Sequence, residues 1–245
     1  MSQNRPYLSL VIPSYNEEPR IGETLQGIID YCRERSYEVE ILVVDDGSTD
    51  DTKRVAESYG GRRVPLEVIS YEPNRGKGYA VKTGMLAARG EYVLFADADM
   101  STPIEMLERF EPLMQAGEDV IIGTRKVAQA TVVRHQPFYR ENMGKVFTWL
   151  SNVILGLNVS DFTCGFKCFS RRAVEQVFGR QTIWGWGYDT EIIYLASSLG
   201  YVVREVPVVW YNDEATRVKL WKHVFTSLGE LIRIWQNSRK GFYSS

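Results

Sequence analysis

Residues 92–103 read YVLFADADMSTP, and this stretch carries the pattern that decides the fold. A short apolar run ends in two aspartates one residue apart, and Ser-Thr-Pro follows as a typical start of a helix. The same order of apolar run, polar cluster and helical pattern occurs three more times between residues 8 and 88. Runs that are apolar throughout are typical of strands in a parallel sheet that helices cover on both faces. The pattern therefore predicts an α/β fold.

Apolar periodicity also places the individual elements of a mostly parallel sheet in a single domain, residues 1–245. In the first half it predicts strands at Leu8–Ile12, Val39–Val44, Leu66–Ser70, Tyr92–Ala96 and Asp119–Gly123, and helices at Arg20–Arg35, Asp50–Tyr59, Lys77–Ala88 and Pro103–Met114. In the second half it predicts helices at Arg140–Leu155, Arg171–Phe178, Tyr188–Ser198 and about Arg217 to Trp235, and strands at Gly165–Ser170 and Val202–Trp210.

Composition restricts the class of protein. With 44% hydrophobic and 24% charged residues and a formal net charge of -2, the chain does not have the basic character of a general nucleic-acid binder. Its three cysteines fit neither a disulfide framework nor a four-ligand zinc site, so we expect reduced thiols in a cytoplasmic protein. The start of the sequence lacks the pattern of a signal peptide. The longest uncharged stretch, Val146–Ser160, is shorter than the ~20 residues that span a bilayer, so we expect no transmembrane segment.

Four polar clusters follow the first four predicted strands. They are PSYNE (13–17), DDGSTD (45–50), PNRGKG (73–78) and DADMSTP (97–103). One such cluster alone is explained by turn chemistry, because Asp, Asn, Gly, Ser and Pro are also typical of loops. The carboxyl ends of parallel strands, however, meet at one edge of a sheet, where ligands bind. We therefore expect the four clusters to form one polar site.

The second and third clusters contain groups that suit a nucleotide. Asp45 or Asp46 can accept hydrogen bonds from a nucleobase or a ribose hydroxyl. Gly76, Lys77 and Gly78 open a predicted helix, whose N-terminal N–H groups and ammonium suit a phosphate or a nucleobase edge.

The fourth cluster suits a divalent cation. In an extended segment Asp97 and Asp99 share one face, where their carboxylates would repel each other without a positive partner. Carboxylate oxygens suit Mg²⁺ or Mn²⁺, and such an ion would also hold a substrate diphosphate. The alternative is that Asp99 and Ser101 only cap the helix at Pro103, which explains one carboxylate and not both.

The clusters PSYNE, VVDDGSTDDT, NRGKGYAVKTGM and FADADMSTP, in this order and spacing, resemble family 2 glycosyltransferases of the GT-A fold. IIGTR (121–125), DFTCGFKCFSR (161–171) and GWGYDTE (185–191) are similar to the subgroup that glycosylates polyprenyl phosphates, such as dolichyl-phosphate β-glucosyltransferases. The resemblance covers nearly the whole chain. It implies a Rossmann-like GT-A domain, with a nucleotide-binding half at about 1–123 and an acceptor half at about 124–245.

The resemblance also implies an activity and a set of site residues. The activity is inverting, metal-dependent transfer of a hexose, with glucose from UDP-glucose favoured, to a dolichyl or undecaprenyl phosphate at the cytoplasmic membrane face. The implied residues are Pro13, Tyr15, Glu17, Asp46, Lys77 and Asp97 for the nucleotide sugar, Asp97 and Asp99 for the metal, Arg125, Arg134 and Arg140 for the acceptor phosphate, and Asp161 near the reacting centre. The alternative for the three arginines is that they are ordinary surface residues.

Two departures from relatives bear on this interpretation. Eukaryotic relatives carry a membrane helix before the domain, whereas this sequence leads us to expect no such helix. Relatives that transfer mannose often read D-A-D-x-Q, whereas Ser101 holds the glutamine position here. This difference favours glucose over the alternative donor, GDP-mannose.

The acceptor decides whether a base is needed. A lipid monophosphate is mostly dianionic at neutral pH and is already a nucleophile. A soluble or glycan hydroxyl, the alternative acceptor, needs a carboxylate, and Asp189 or Glu191 is the candidate. Asp189 could equally be the N-cap of the helix that follows it. A third hypothesis is a nucleotide-sugar-binding protein without turnover.

The segment from Arg217 onward contains six basic residues and the single acid Glu230. Its apolar stripe comprises Leu220, Trp221, Val224, Phe225, Leu228, Leu231, Ile232 and Trp235. A basic amphipathic helix with tryptophans suits an anionic membrane surface, so peripheral membrane contact is one interpretation. Packing against its own domain is the other.

Overall fold

The computed structural model describes residues 5–61, 64–133, 138–211 and 220–243, without the side chains of 138–140 and 220–225. The strands are β1 (Leu8–Ser14), β2 (Val39–Asp45), β3 (Leu66–Ser70), β4 (Tyr92–Ala96), β5 (Val120–Thr124), β6 (Thr131–Val132), β7 (Phe166–Ser170), β8 (Val203–Pro207) and β9 (Val209–Trp210). The helices are α1 (Glu18–Arg33), α2 (Thr52–Glu57), α3 (Lys77–Ala87), α4 (Leu107–Gln115), α5 (Phe138–Leu155), α6 (Arg171–Arg180), α7 (Tyr188–Ser198) and α8 (Leu220–Arg239).

Seven strands form one sheet in the order β3-β2-β1-β4-β7-β5-β8. Strands β1 to β4 pair in parallel, as do β5 and β8. Strand β7 is antiparallel to both of its neighbours, β4 and β5. The predicted α/β fold with a mostly parallel sheet is confirmed.

Helices bury both faces of the sheet, as the continuous apolar runs predict. Within β1, Leu8, Leu10 and Ile12 pack against α1 and α4 on one face. Val11 points to the other face and joins the core formed with α3, α6 and α7. Strands β1, β2, β4 and β5 are buried along their whole length. A one-residue slip of any of these strands would exchange the two cores.

Two predicted elements differ from the structure. Pro103 is extended, with ψ 147°, and a 3₁₀ turn at Ile104–Met106 precedes α4. Proline fixes φ but leaves ψ free, so it suits this position before the helix as well as one inside the first turn. The predicted strand Val202–Trp210 is divided at Val208. The Val208 N–H donates to the Thr124 carbonyl and the Val208 carbonyl accepts from the Thr131 N–H, each at 3.1 Å, so the chain changes partner from β5 to β6.

The final helix, α8, packs against α5 and α7. Leu231 and Ile234 are buried, which supports packing against its own domain. Ile232 and Trp235 belong to the predicted apolar stripe but are 52% and 38% exposed. The part of the prediction at Arg217 and Lys219 lies outside the described residues. Across the residues the structure describes, no helix has the length and hydropathy needed to cross a bilayer.

Candidate active site

The first two polar clusters are joined by hydrogen bonds between their loops. The Asn16 N–H donates to Ser48 Oγ at 2.9 Å, and the Asn16 side-chain oxygen accepts from the Thr49 N–H at 2.8 Å. The Glu17 N–H donates to Thr52 Oγ1 at 2.7 Å. These bonds hold the PSYNE and DDGSTD clusters together at the carboxyl edge of β1 and β2. Pro13 is the next-to-last residue of β1, and Tyr15, just after the strand, is 45% exposed.

Asp46 organises the third cluster. Its carboxylate accepts hydrogen bonds from the Arg75 N–H at 2.8 Å, the Gly76 N–H at 2.9 Å and the Asn74 side-chain amide at 2.8 Å. Asp46 is 3% exposed, so these bonds replace most of its contact with water. The structure therefore gives Asp46 a definite role in shaping the loop before α3. Its role toward a nucleotide stays a prediction.

The two glycines at the start of α3 permit close packing against residues 181–187, which we call the Trp loop. The Gly78 N–H donates to the Trp184 carbonyl at 2.8 Å, and a Cβ on Gly78 would lie 2.7 Å from the Ile183 carbonyl oxygen. Gly76 has φ 102°, and a Cβ there would lie 2.6 Å from the Trp184 oxygen. The expectation that this helix start offers its N–H groups to a phosphate is thus wrong for Gly76 and Gly78, whose N–H groups already have partners.

The two aspartates of DADM lie in a turn and not in an extended segment. Strand β4 ends at Ala96, and the Met100 N–H closes the turn by donating to the Asp97 carbonyl at 3.0 Å. Met100 has φ 46°, a left-handed conformation that is uncommon without glycine. Gly165, just before β7, lies so near that a Cβ on it would come 2.1 Å from Asp97 Oδ2. The Asp97 carboxylate is therefore held from behind by backbone.

A lysine ammonium faces this turn. Lys77 Nζ lies 2.7 Å from Asp97 Oδ1, with the two side chains 25% and 29% exposed. Burial acts to lower the pKa of Lys77, but the Asp97 and Asp189 carboxylates outweigh it and raise that pKa. Burial, together with the nearby Asp97 charge, raises the pKa of Asp99. The two carboxylates are thus close enough to interact, although a turn and not strand alternation brings them together.

The donor set of Asp97 and Asp99 fits Mg²⁺ or Mn²⁺. Both offer hard carboxylate oxygens, and the raised pKa of Asp99 shows that a positive partner would stabilise its ionised form. In the part of the chain that the structure describes, no group of three or more His, Cys, Asp or Glu residues is placed to hold a metal. Two protein carboxylates completed by substrate phosphates are a usual arrangement for Mg²⁺.

The second charged group of the site is a pair between Arg125 and Asp161. Arg125 follows β5, and its Nε and Nη2 donate to the two Asp161 carboxylate oxygens at 2.7 and 2.9 Å. Arg125 Nη2 also donates to Thr163 Oγ1 at 2.8 Å, and the guanidinium lies 5.2 Å from the centre of the Trp210 ring. Asp161 is completely buried, and although burial opposes it, the Arg125 guanidinium holds the Asp161 pKa well below its usual range. The Asp161 carboxylate therefore orients the Arg125 guanidinium.

Neighbouring polar residues also contact the segment that carries Asp161. Glu205 on β8 accepts hydrogen bonds from the Ser160 N–H at 2.9 Å and the Ser160 hydroxyl at 2.6 Å. Lys126 Nζ lies 3.7 Å from Asp161, and burial lowers the pKa of Lys126. Of the other predicted phosphate ligands, Arg134 lies outside the described residues, and Arg140 is in α5 without a described side chain.

Asp189 forms a buried ion pair that the sequence patterns did not predict. Lys167, on β7, is completely buried and donates to Asp189 and, at 2.6 Å, to the Cys164 carbonyl. Burial raises the pKa of Asp189, while Lys167 and Lys77 act against that increase. The N-cap of α7 is Gly187, so the interpretation of Asp189 as that cap is wrong. The lysine inside the apolar strand could have indicated this pair from the sequence, because a fully buried lysine requires a partner.

Glu191 has a structural role. It is completely buried and accepts hydrogen bonds from the Thr182 N–H and the Ile183 N–H, at 3.0 and 2.7 Å. The Tyr243 hydroxyl donates to it at 2.7 Å. Glu191 therefore fastens the Trp loop and the end of the described chain to α7, and these hydrogen bonds engage both of its oxygens.

Comparison with known proteins identifies the family. Residues 9–178 match the domain described as glycosyl transferase family 2. The chain belongs to glycosyltransferase family 2. This family 2 enzyme is 30% identical over 240 residues to the dolichyl-phosphate beta-glucosyltransferase of Dictyostelium discoideum, covering 93% of this chain and 73% of the relative. It is 34% identical over 230 residues to the protein of the same name from Mus musculus, covering 87% and 70% of the two chains.

Solved structures share the fold of the family 2 enzyme. Glucosyl-3-phosphoglycerate synthase from Mycobacterium tuberculosis, in complex with Mn²⁺, UDP and glucosyl-3-phosphoglycerate, superposes with a TM-score of 0.68 at 21% identity, over 95% of this chain and 81% of that one. The same synthase with Mg²⁺ and UDP gives a TM-score of 0.68 over 97% and 80%. The predicted GT-A fold and the resemblance to family 2 are confirmed.

Proposed function

We propose that this enzyme transfers glucose from UDP-glucose to a polyprenyl phosphate, such as dolichyl or undecaprenyl phosphate. The observation that carries the proposal is the guanidinium of Arg125, oriented by Asp161, at the same edge of the sheet as the Lys77–Asp97 pair. Burial acts to lower the pKa of Arg125, but the Asp161 carboxylate outweighs it and raises that pKa, and the more distant Asp97 charge adds to the increase. Lys77 suits the diphosphate of the donor, and Arg125 suits a second phosphate, that of the acceptor. The names of the curated relatives support glucose as the sugar and a polyprenyl phosphate as the acceptor.

The donor would bind along the joined loops of the first two clusters. Pro13, Tyr15 and Glu17 border the nucleoside, with Asp46 shaping the loop beside it. Lys77 would contact the diphosphate, and Asp97 and Asp99 would hold Mg²⁺ or Mn²⁺. When bound, the divalent cation supplies Lewis-acid stabilisation of negative charge on the leaving diphosphate. The Lys77 ammonium adds to that stabilisation from within the protein.

The acceptor phosphate would bind the fork of Arg125, which presents planar paired donors to an anionic oxygen. A phosphate oxygen forms the new bond to the anomeric carbon. The bond from that carbon to the UDP oxygen breaks, and its electron pair stays on UDP. Attack on the face opposite the leaving group inverts the configuration. No proton has to be removed, because a phosphate monoester with a second pKa of ~6 is mostly dianionic at neutral pH.

Asp189 is a candidate catalytic residue only for a hydroxyl acceptor, which needs a base. Its ion pair with Lys167 holds the carboxylate in place beside the site. For a phosphate acceptor, Asp189 and Asp161 act as charges that orient neighbouring cations. Transfer to a soluble or glycan hydroxyl is the alternative function, and GDP-mannose is the alternative donor.

The acceptor lipid requires access to a membrane, and two helices offer surfaces for it. On α5, Val146, Trp149 and Val153 are 56%, 63% and 62% exposed, at a spacing that places them on one side of the helix. On α8, Ile232 and Trp235 are exposed in the same way, and the Arg239 guanidinium lies 4.6 Å from the Trp235 ring centre. Tryptophans with neighbouring basic groups suit the interface of an anionic membrane. We propose peripheral contact at the cytoplasmic face through these two stripes.

A donor and acceptor panel tests the proposal. The purified protein is incubated with Mg²⁺ or Mn²⁺, labelled UDP-glucose, GDP-mannose or another nucleotide sugar, and a short polyprenyl phosphate or a set of glycan hydroxyl acceptors. We expect label to appear in the polyprenyl phosphate from UDP-glucose, with an inverted anomeric centre. Transfer only to hydroxyl acceptors would contradict the lipid acceptor, and transfer only from GDP-mannose would contradict the donor.

A further inference from the structure

An ammonium group already pairs with one member of the aspartate doublet, Asp97. Lys77 Nζ lies 2.7 Å from Asp97 Oδ1, in a position where less than a third of either side chain is exposed. Asp99 accepts a hydrogen bond from the Ser101 N–H at 2.9 Å. The two aspartates therefore have different partners, a full positive charge on one and a backbone dipole on the other.

We propose that Lys77 competes with the divalent cation for Asp97 and moves to the donor diphosphate when metal and nucleotide bind together. This inference rests on the proposed function only in taking the donor to be a nucleoside diphosphate sugar. It assigns Lys77 a second partner, besides the nucleotide that the sequence pattern suggests. Metal binding and nucleotide binding are then coupled through one side chain.

Geometry makes the lysine, and not the aspartate, the group that moves. Asp97 has the Gly165 backbone directly behind its carboxylate, with no room even for a methyl group between them. The backbone of Lys77 is also held, because Gly76 and Gly78 on either side pack against the Trp184 carbonyl. The long lysine side chain is the remaining adjustable part. Its ammonium lies 5.5 Å from the centre of the Trp186 ring, an aromatic surface that tolerates a cation.

Charge explains why the two binding events depend on each other. A divalent cation that uses both carboxylates must share or displace the ammonium at Asp97 Oδ1, and two positive groups at that distance repel. A diphosphate brings negative oxygens that accept the displaced ammonium. Metal that binds alone must therefore disrupt the Lys77–Asp97 ion pair, which weakens its affinity. When nucleotide binds as well, the diphosphate takes over the ammonium and this loss of affinity is avoided.

Binding of Mn²⁺ to the full chain tests this competition without any transfer reaction. The free Mn²⁺ signal is followed by electron paramagnetic resonance, with and without UDP or GDP, for the wild type, Lys77→Met, Lys77→Arg and Lys82→Met. Lys82 is a matched control on the same helix, since its ammonium donates to the Gln181 carbonyl and not to a carboxylate. Thermal unfolding checks that each variant is folded.

We expect Lys77→Met to bind Mn²⁺ roughly fivefold or more tightly without nucleotide, the lower range of a usual coupling between sites. UDP should tighten Mn²⁺ binding in the wild type and do so less in Lys77→Met. Lys77→Arg should keep the wild-type behaviour, and Lys82→Met should stay within about twofold of the wild type, as expected for a charge with no pair to a metal ligand.

Equal or weaker Mn²⁺ binding by Lys77→Met overturns the inference, as does the absence of detectable Mn²⁺ binding in both forms. If Lys77→Met does not fold, lack of coupling between Mn²⁺ and either nucleotide in the wild type overturns it alone. Failure of glucose transfer in the donor and acceptor panel leaves these binding results unchanged. The two proposals therefore fail separately.

Discussion

At the scale of single residues, the site depends on buried charges that are paired. Asp161 is completely buried, and it accepts from Arg125 through both carboxylate oxygens and from the Thr163 N–H at 3.1 Å. Lys167 and Asp189 form a second such pair. Breaking one member of a buried pair leaves the other charge without a partner, which costs more than the pair contributes.

Asp161→Asn should lower the free energy of unfolding by about 3–5 kcal/mol, the usual cost of removing one member of a buried ion pair. Urea unfolding at neutral pH measures this loss. Asp51→Asn is the matched control, because Asp51 and its partner Arg54 are 52% and 72% exposed, and an exposed pair contributes about 1 kcal/mol or less. Equal losses in the two variants would contradict the account of Asp161.

The pH dependence of that stability has a definite sign. The folded-state pKa of Asp161 is depressed, so its contribution is complete above its unfolded pKa of about 4 and is lost as the pH falls from there toward the folded value. Compared with Asp161→Asn, the wild type should therefore lose more stability on acidification below about pH 4.

The candidate site residues could be named from the sequence as predictions, but several of their partners in the fold could not. The DADM doublet, Lys77 and Arg125 stand at strand or helix ends, where turn chemistry and charge are visible in the pattern. Lys167 reaches Asp189 across 22 residues, and no local spacing encodes such a contact. The structural role of Asp46 could not be predicted for the same reason, since its three hydrogen-bond donors come from the loop that follows the next strand.

At the scale of elements, the contact between α3 and the Trp loop positions Lys77 relative to Asp189. Gly78 is one of the two close points of this contact, because a Cβ would lie 2.7 Å from both the Ile183 oxygen and the Tyr188 Cβ. Gln181 adds a hydrogen bond from its side-chain amide to the Gly78 carbonyl at 2.9 Å. The helix start and the loop therefore behave as one packed unit.

Gly78→Ala should lower the free energy of unfolding by about 1–3 kcal/mol, because the added methyl group must push the loop or the helix away. It should also weaken UDP binding, since Lys77 moves with the helix start. Chemical denaturation and a UDP titration measure the two effects. Gly179→Ala, at a helix position where an added methyl group would meet nothing within 4 Å, should instead be neutral or stabilise by up to about 1 kcal/mol. Wild-type stability in Gly78→Ala would contradict the close contact.

Element positions were more predictable than element pairing. Lys77–Ala87 and Tyr188–Ser198 agree closely with the predicted helices, because periodicity and helix-start residues are local signals. The insertion of β7 between β4 and β5 could not be predicted in this way, since FKCFS has the same apolar character as a parallel strand. The division of the predicted strand at Val208 depends on two hydrogen bonds to strands distant in the sequence, so the local apolar pattern does not indicate it.

At the scale of the whole molecule, the exposed stripes of α5 and α8 should decide where the enzyme works. Trp149→Ser and Trp235→Ser together should weaken binding to vesicles of anionic phospholipid by about tenfold or more, as expected from the loss of two interfacial aromatic rings. Vesicle co-sedimentation measures the partition, with zwitterionic vesicles for comparison. Val202→Ser, which removes another exposed apolar side chain, is the control.

The membrane prediction is contradicted if the wild type does not bind anionic vesicles, or if Val202→Ser weakens binding as much as the tryptophan variants. Glucose transfer to a detergent-dispersed acceptor should change little in the tryptophan variants, because both rings are exposed and neither belongs to the charged pairs of the site. This contrast separates recruitment to the membrane from the chemistry.

The position of β7 also has a consequence for how the protein is made. Strand β5 emerges from the ribosome long before its two neighbours, since β7 begins at Phe166 and β8 at Val203. Until Phe166 has been synthesised, an apolar strand with free edges has no partner, which is the condition in which nascent chains aggregate or recruit chaperones. Strands β1 to β4 can pair while synthesis continues, because they are neighbours in an unbroken parallel set. The sheet can therefore be completed only when the later part of the chain has been made. Aggregation should be most frequent when translation pauses between residues 124 and 166.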